Sequence, residues 1–227
     1  GVYKLPNNFW GNYLAVVNAN IAGGKSDFFV NQEIDLEVSL DDNGKASNQL
    51  KIKRTHSGNA EKDYWWRAAN QNFLKIFTSP ESRLVNLNGN SQKTVKPPAN
   101  YQENNYQEDP DLKAIEKEQQ FLEDFNAWSG KESGKTVWAT WFNLPAGKTK
   151  ILEVKYETPA VINHSLKTGQ IYQFIFDKQS GVDGKLKATI EAPLGYKWQE
   201  SQSYIYEYQN DNPPGRLIIN LTLLKIL

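Results

Sequence analysis

Polar and apolar positions alternate clearly along "NQEIDLEVSL". Ile34, Leu36, Val38 and Leu40 interleave with Glu33, Asp35, Glu37 and Ser39. Side chains alternate faces along a strand, so this pattern predicts one wet and one buried face. "DDNG" (Asp41 to Gly44) follows, a tight-turn sequence because Asn and Gly tolerate positive φ. "KASNQLKIKRT" returns as the hairpin partner. Further on, "NFLKIFTS", "RLVNLNG" and "KTVWATWFNL" read as strands. "TKILEVKYETP" puts Leu152, Val154 and Tyr156 on one face. "QIYQFIFDK" is nearly all apolar and reads as a central strand, while "KLKATIEAP" and "SYIYEYQ" alternate. "RLIINLTLLKIL" closes the chain as a buried strand. "PAGK", "SGVDG" and "DNPPG" mark turns.

One stretch has helical spacing. In "DPDLKAIEKEQQFLEDFNAWSG", Asp109 suits an N-cap, Pro110 the first helical position and Asp111 the positive dipole end. Leu112, Ile115, Leu122 and Phe125 fall on one stripe with Trp128 near it, and Gly130 supplies a stop. The prediction is an all-β, immunoglobulin-like β-sandwich of about ten strands, with one helical insertion around residues 109–129. Residues 1–26 read as a lead-in. Residues 27–227 read as the sandwich, as a single unit or as two subdomains meeting near 160–168. The whole insertion spans 90–134 and packs its stripe on a sheet.

The chain has 227 residues, 39% of them apolar and 23% charged, enough for a packed core. Lys plus Arg and Asp plus Glu number 26 each, so there is no global field for nucleic acid or anionic lipid. The basic run Lys51 to Arg54 sits on an alternating pattern and reads as a solvated strand face. The absence of Cys removes disulfides, thiolate catalysis and Cys-based zinc sites. The absence of Met, with no signal peptide, reads as a chain that begins inside a longer gene product or after a removed tag. No apolar run approaches the roughly 20 residues of a membrane span, so any anchor lies outside this segment.

"ANIAGGKS" (Ala19 to Ser26) matches a phosphate-binding loop, which needs a helix starting at the Lys-Ser pair. Here "DFFVNQEIDLEVSL" follows with strand-forming residues and a period of two. Nucleotide binding is therefore not expected, and Gly23 and Gly24 read as a bend into a strand. No cofactor is expected. His56 and His164 lack a second ligand at metal spacing, and there is no Gly-x-Ser-x-Gly elbow. Glu33, Asp35 and Glu37 share a solvated face. "DDNG" and "GVDG" carry oxygen ligands without the spaced series of a calcium loop.

Seven Trp and eleven Tyr are the candidate contact residues. Trp65 and Trp66 are adjacent, so on a strand they face opposite ways and one is exposed. Trp138 and Trp141 likewise face opposite ways. Tyr204, Tyr206 and Tyr208 share a face. Exposed rows of such rings stack on sugars or enter protein grooves; core packing is the simpler reading for any single ring.

The segments "NYLAVVNANIAGGKSDFFVNQEIDLEVSLDDNGKASNQLKIKRTHSG", "NFLKIFTSPESRL", "KTVWATWFNLPAGKTKILEVKYETP" and "YQFIFDKQSGVDGKLKATIEAP" resemble, in order and spacing, the C-terminal region of the bacterial family called domain of unknown function 4012. The resemblance covers most of residues 12–193. It implies a large bacterial envelope protein with an N-terminal membrane helix, and this β-rich region outside the membrane at the cell surface. No catalytic residue carries over from it, and the insertion at 90–134 departs from it. The expected function is a non-catalytic extracytoplasmic domain, structural or in contact with an envelope protein or glycan. Two alternatives stand beside it: a carbohydrate-active hydrolase with paired carboxylates, and a glycan-binding module.

Overall fold

The computed structural model describes residues 4–226 apart from 7–8, 22–23, 93–102, 104, 108, 160, 163–164 and 183. The alternating segments fold into two facing sheets. The strands are β1 (Gly11–Asn20), β2 (Val30–Leu40), β3 (Ala46–His56), β4 (Asn70–Thr78), β5 (Arg83–Asn88), β6 (Gln120–Leu122), β7 (Ala127–Glu132), β8 (Lys135–Leu144), β9 (Thr149–Thr158), β10 (Ile171–Lys178), β11 (Gly184–Glu191), β12 (Tyr196–Trp198), β13 (Ile205–Asn210) and β14 (Arg216–Lys225). One sheet runs β12-β14-β10-β1-β4-β8-β7-β6 and the other β13-β11-β2-β3-β9-β5. The all-β sandwich read from the alternation is thus the architecture, with fourteen strands among the described residues rather than about ten.

The core follows from the period of two. Ile34, Leu36, Val38 and Leu40 of β2 face inward and meet Leu50 and Ile52 of β3, Leu152, Val154 and Tyr156 of β9, and Phe174 and Phe176 of β10. The β2–β3 hairpin pairs Leu40 with Ala46. Its turn is capped by Asp41, whose Oδ1 accepts the N–H groups of Asn43 and Lys45, both at 2.9 Å. Gly44 there has φ +74°, and a Cβ would stand 2.3 Å from the Ile162 carbonyl oxygen.

Two expected boundaries move. The segment read as a lead-in contains β1, an interior strand of the larger sheet, between β10 and β4. Its Leu14 and Val16 enter the main core, while Tyr13 and Ala15 join a second cluster on the outer face under Leu5 and Phe9. A strand buried on both faces reads as a continuous apolar run, which hid it. Near 160–168 the chain passes from one strand path to a second that repeats it. β1, β2, β3 and β4 leave the larger sheet, form a hairpin in the smaller and return, and β10, β11, β13 and β14 repeat the path. The two units join through parallel contacts, β1 with β10 and β2 with β11, over one core.

The helix is shorter than its stripe implied. Asp109 Oδ1 accepts the N–H groups of Asp111 (2.8 Å) and Leu112 (3.2 Å), as an N-cap should. The helix spans only Pro110–Lys117, and Leu112 on it is exposed. The side chain of Ile115 lies outside the described residues. Leu122 ends β6 and Phe125 lies in the turn after it, and both pack on the main core from there. Spacings of three residues in this stretch served a strand and a turn rather than a helix face. No described helix is long and apolar enough to cross a membrane.

Candidate contact site

The inward stripes of the central strands turn polar towards one end of the sandwich. Gln32, Arg54, His56, Asn70 and Asn72 are all buried there. The Arg54 guanidinium donates to Asn70 Oδ1 at 3.1 Å and lies 3.9 Å from Asp27 Oδ1. Burial pushes its pKa down to about 10, with Asp27 opposing the shift. Asn70 passes the network on: its Nδ2 donates to Asp27 Oδ1 (2.8 Å) and to Ser26 Oγ (3.2 Å). Asn20 donates to the same hydroxyl and to the Gly24 carbonyl. His56 is spent on structure. Its Nδ1 accepts the Gly58 N–H at 3.1 Å, so Nε2 carries the proton and donates to the Ala68 carbonyl at 3.0 Å.

This polar layer holds two short turns at the surface. Ser26–Phe29 form a single 3-10 turn, not the α-helix of a phosphate loop, and β2 starts directly after it. Lys25 is exposed and its backbone N–H donates to the Trp65 carbonyl at 3.2 Å. Gly23 lies outside the described residues. The second turn is the one-turn helix α1 (Tyr64–Arg67). Gly58 lets the neighbouring loop come close, since a Cβ would stand 2.6 Å from the Trp66 carbonyl oxygen.

The two turns present five aromatic rings. Phe28 is 85% exposed, Tyr64 71%, Trp65 60% and Trp66 36%. Phe28 and Phe29 have centroids 5.1 Å apart, Phe29 and Trp66 5.5 Å, and Tyr64 and Trp65 6.2 Å. The rings are mutually tilted, with interplanar angles of 78°, 55° and 67°. The expectation that Trp65 and Trp66 flank a strand fails: on one helical turn they lie about 100° apart, so both reach solvent. Phe28 and Phe29 were missed because "DFFV" reads as the start of a strand. The Gly-rich bend before them was the available signal.

The tyrosine candidates lie elsewhere. Ile205, the first residue of β13, pairs with Glu191, which pairs with Ser39 near the far end of β2. The aromatic turns adjoin Val30, roughly 30 Å away at the strand rise per residue. Tyr204 is exposed, whereas Tyr206 and Tyr208 rest against the main core. The four candidate residues Trp65, Trp66, Tyr204 and Tyr206 therefore form two unrelated sites. Trp138 and Trp141 do face opposite ways: Trp138 is in the core, and Trp141 packs outside on Phe73 at 5.1 Å.

Of the other candidate chemistry, Glu33 is ion-paired with Lys53 at 3.0 Å. Glu37, Glu191 and Glu207 border a shallow trough on the outer face of the smaller sheet, floored by Ser39, Ser47 and Thr189. Glu37 and Glu207 are each paired in register with Thr189 on β11, so their Cα atoms are two strand spacings, about 10 Å, apart. Their side chains rise side by side from one sheet face. Among the described residues no group of three or more His, Asp or Glu could hold a metal ion. His164 and Asp183 lie outside the described residues.

No protein-family model matches the chain, and no curated protein matches it. Among solved structures it is similar to a Legionella pneumophila protein described as nutrient-binding, with 8% identity and a TM-score of 0.47, over 95% of this chain and 71% of that one. It is also similar to an M1 zinc metallopeptidase from Deinococcus radiodurans, with 8% identity and a TM-score of 0.30, over 85% of this chain and 39% of the peptidase. Neither similarity transfers a residue role.

Proposed function

We propose that the protein is a non-catalytic contact domain whose working surface is the aromatic end formed by Phe28, Phe29, Tyr64, Trp65 and Trp66. The exposure of these rings carries the reading. Four large aromatic side chains on two adjoining turns stay in water above a buried polar layer. The buried network from Arg54 through Asn70 to Asp27 braces their mount, so little ordering cost attends binding. The topology favours presentation over an in-line spacer. β1 begins and β14 ends at the end opposite the rings, because Gly11 pairs with Gln173 and Ile171 with Thr222. A bacterial envelope setting, outside the membrane, rests on the resemblance of residues 12–193.

Retention of the purified chain on an envelope fraction tests this reading. A double variant, Phe28→Ser with Trp65→Ala, should lose binding about tenfold or more, as expected for two anchors at a contact centre. Tyr204→Ser should bind as the parent does. Equal retention of all three proteins would remove the aromatic end from the function.

A further inference from the structure

We infer that the aromatic end takes the interfacial zone of an anionic lipid bilayer as its ligand. The inference rests on the proposed contact role and names the partner chemistry of that same surface.

Three features of the site favour a bilayer over a sugar or a protein pocket. First, the rings tilt against one another by 55° to 78° and project from two turns. A sugar chain stacks on broad ring faces presented together, and none of these three neighbouring pairs is parallel. Second, the ring types are graded. Phe28, the most exposed, is purely apolar, whereas Tyr64, Trp65 and Trp66 each carry an apolar body and a polar handle. Such side chains settle at the headgroup level of membranes while an apolar tip goes deeper. Third, the collar is cationic in a chain of zero net charge. Lys25, Lys62, Arg67 and Lys148 are exposed around the rings; Gly147, beside Lys148, lies against Asn59 of the same loop cluster. Glu61, Asp63 and Asp27 are the opposing carboxylates, and Asp27 is set against the buried Arg54 guanidinium at 3.9 Å. Long cationic side chains beside inserted aromatics meet lipid phosphates. A protein partner would have to meet this cluster with carboxylates of its own.

Binding stands the sandwich on its aromatic end, with the start of β1 and the end of β14 pointing away from the bilayer.

The test uses the full chain with vesicles of phosphatidylcholine, alone or mixed with phosphatidylglycerol. Co-sedimentation should be stronger on the anionic vesicles by about tenfold and should fall as salt rises. Trp65 and Trp66 are the reporters: emission should shift to the blue, and lipids brominated on their acyl chains should quench it. Phe28→Ser with Trp65→Ala should abolish sedimentation, and Lys25→Glu with Lys62→Glu should remove the preference for phosphatidylglycerol. Absence of sedimentation and quenching with the parent protein overturns the lipid inference. If envelope retention still depends on Trp65 in that case, a protein or glycan is the partner and the contact reading stands. If retention is also indifferent to Trp65, both fall.

Discussion

The backbone N–H of Lys25 donates to the carbonyl of Trp65 at 3.2 Å. This bond joins the glycine-bearing segment that mimics a phosphate loop to the turn that carries the exposed tryptophans. The lysine whose neighbours suggest nucleotide binding instead helps to hold an aromatic surface in place. Its side chain stays in solvent beside the rings.

Removing the Asn70 side chain takes a hydrogen-bond acceptor from the buried Arg54 guanidinium and leaves Asp27, 3.9 Å away, as its counter-charge. A lost hydrogen bond to a buried charged group costs about 1.5–3 kcal/mol. Asn70→Ala should therefore lower stability by that amount, read from the urea midpoint. Arg54→Met, which removes the charge along with the need for a partner, should cost far less. Equal losses in the two variants would mean that the Arg54–Asn70 bond is not what makes the site sensitive.

Gly58→Ala places a Cβ 2.6 Å from the Trp66 carbonyl oxygen and 2.8 Å from His56 Cε1. The clash falls on backbone and on a buried ring, so α1 must shift. A loss of about 1–3 kcal/mol is expected. Hydrogen exchange should quicken in residues 57–68 more than in β2 or β10. A uniform rise across the sandwich would place the effect in the core.

Tyr156 and Tyr172 are fully buried, and their hydroxyls have no hydrogen-bond partner among the described residues. Burial pushes both phenols well above their usual range. The unfolded chain then loses these protons near pH 10 while the folded chain keeps them. Stability from each is complete below pH 10 and is lost as pH rises beyond it, by about 1.4 kcal/mol per pH unit. Arg54 works in the opposite direction: its folded pKa lies below its unfolded one, so raising pH above about 10 relieves the cost of its burial. Tyr156→Phe should be close to neutral at pH 7. It should flatten the alkaline decline in urea midpoints between pH 10 and 11. An unchanged slope would show that Tyr156 is not what titrates.

The two four-strand units share both sheets and one core. Heat should therefore unfold the chain in one transition, with far-ultraviolet circular dichroism and tryptophan emission coincident. Chains cut at residue 165 should remain unfolded as separate halves, because β1 would lose β10 and β2 would lose β11. Two independent transitions would show that the two units fold separately, as subdomains.

Much of the sandwich was legible because one wet face and one dry face force a period of two. That is why the β2–β3 hairpin and its Asp41–Gly44 turn could be placed from the residues alone. β1 escaped because Tyr13 and Leu14 are both buried, on opposite faces, which removes the alternation. The helical stripe through Leu122 and Phe125 misled because spacings of three also fit a short strand followed by a turn. Of the candidate site, Trp65 and Trp66 were found by residue type. Phe28 and Phe29 were not, since exposure is absent from a residue's identity.

Local chemistry set the strands, the turns, the cap at Asp109 and the lack of a helix after Lys25, because these depend on near neighbours in the chain. Which strands lie together, and which rings meet, depended on contacts between distant segments. Phe29 comes to 5.5 Å from Trp66, centroid to centroid, because β2 and β3 of the smaller sheet face β4 of the larger one, with Arg54 and Asn70 bonded between them. Tyr204 lies far from them because β11, running parallel to β2, carries its neighbour Ile205 to the opposite end.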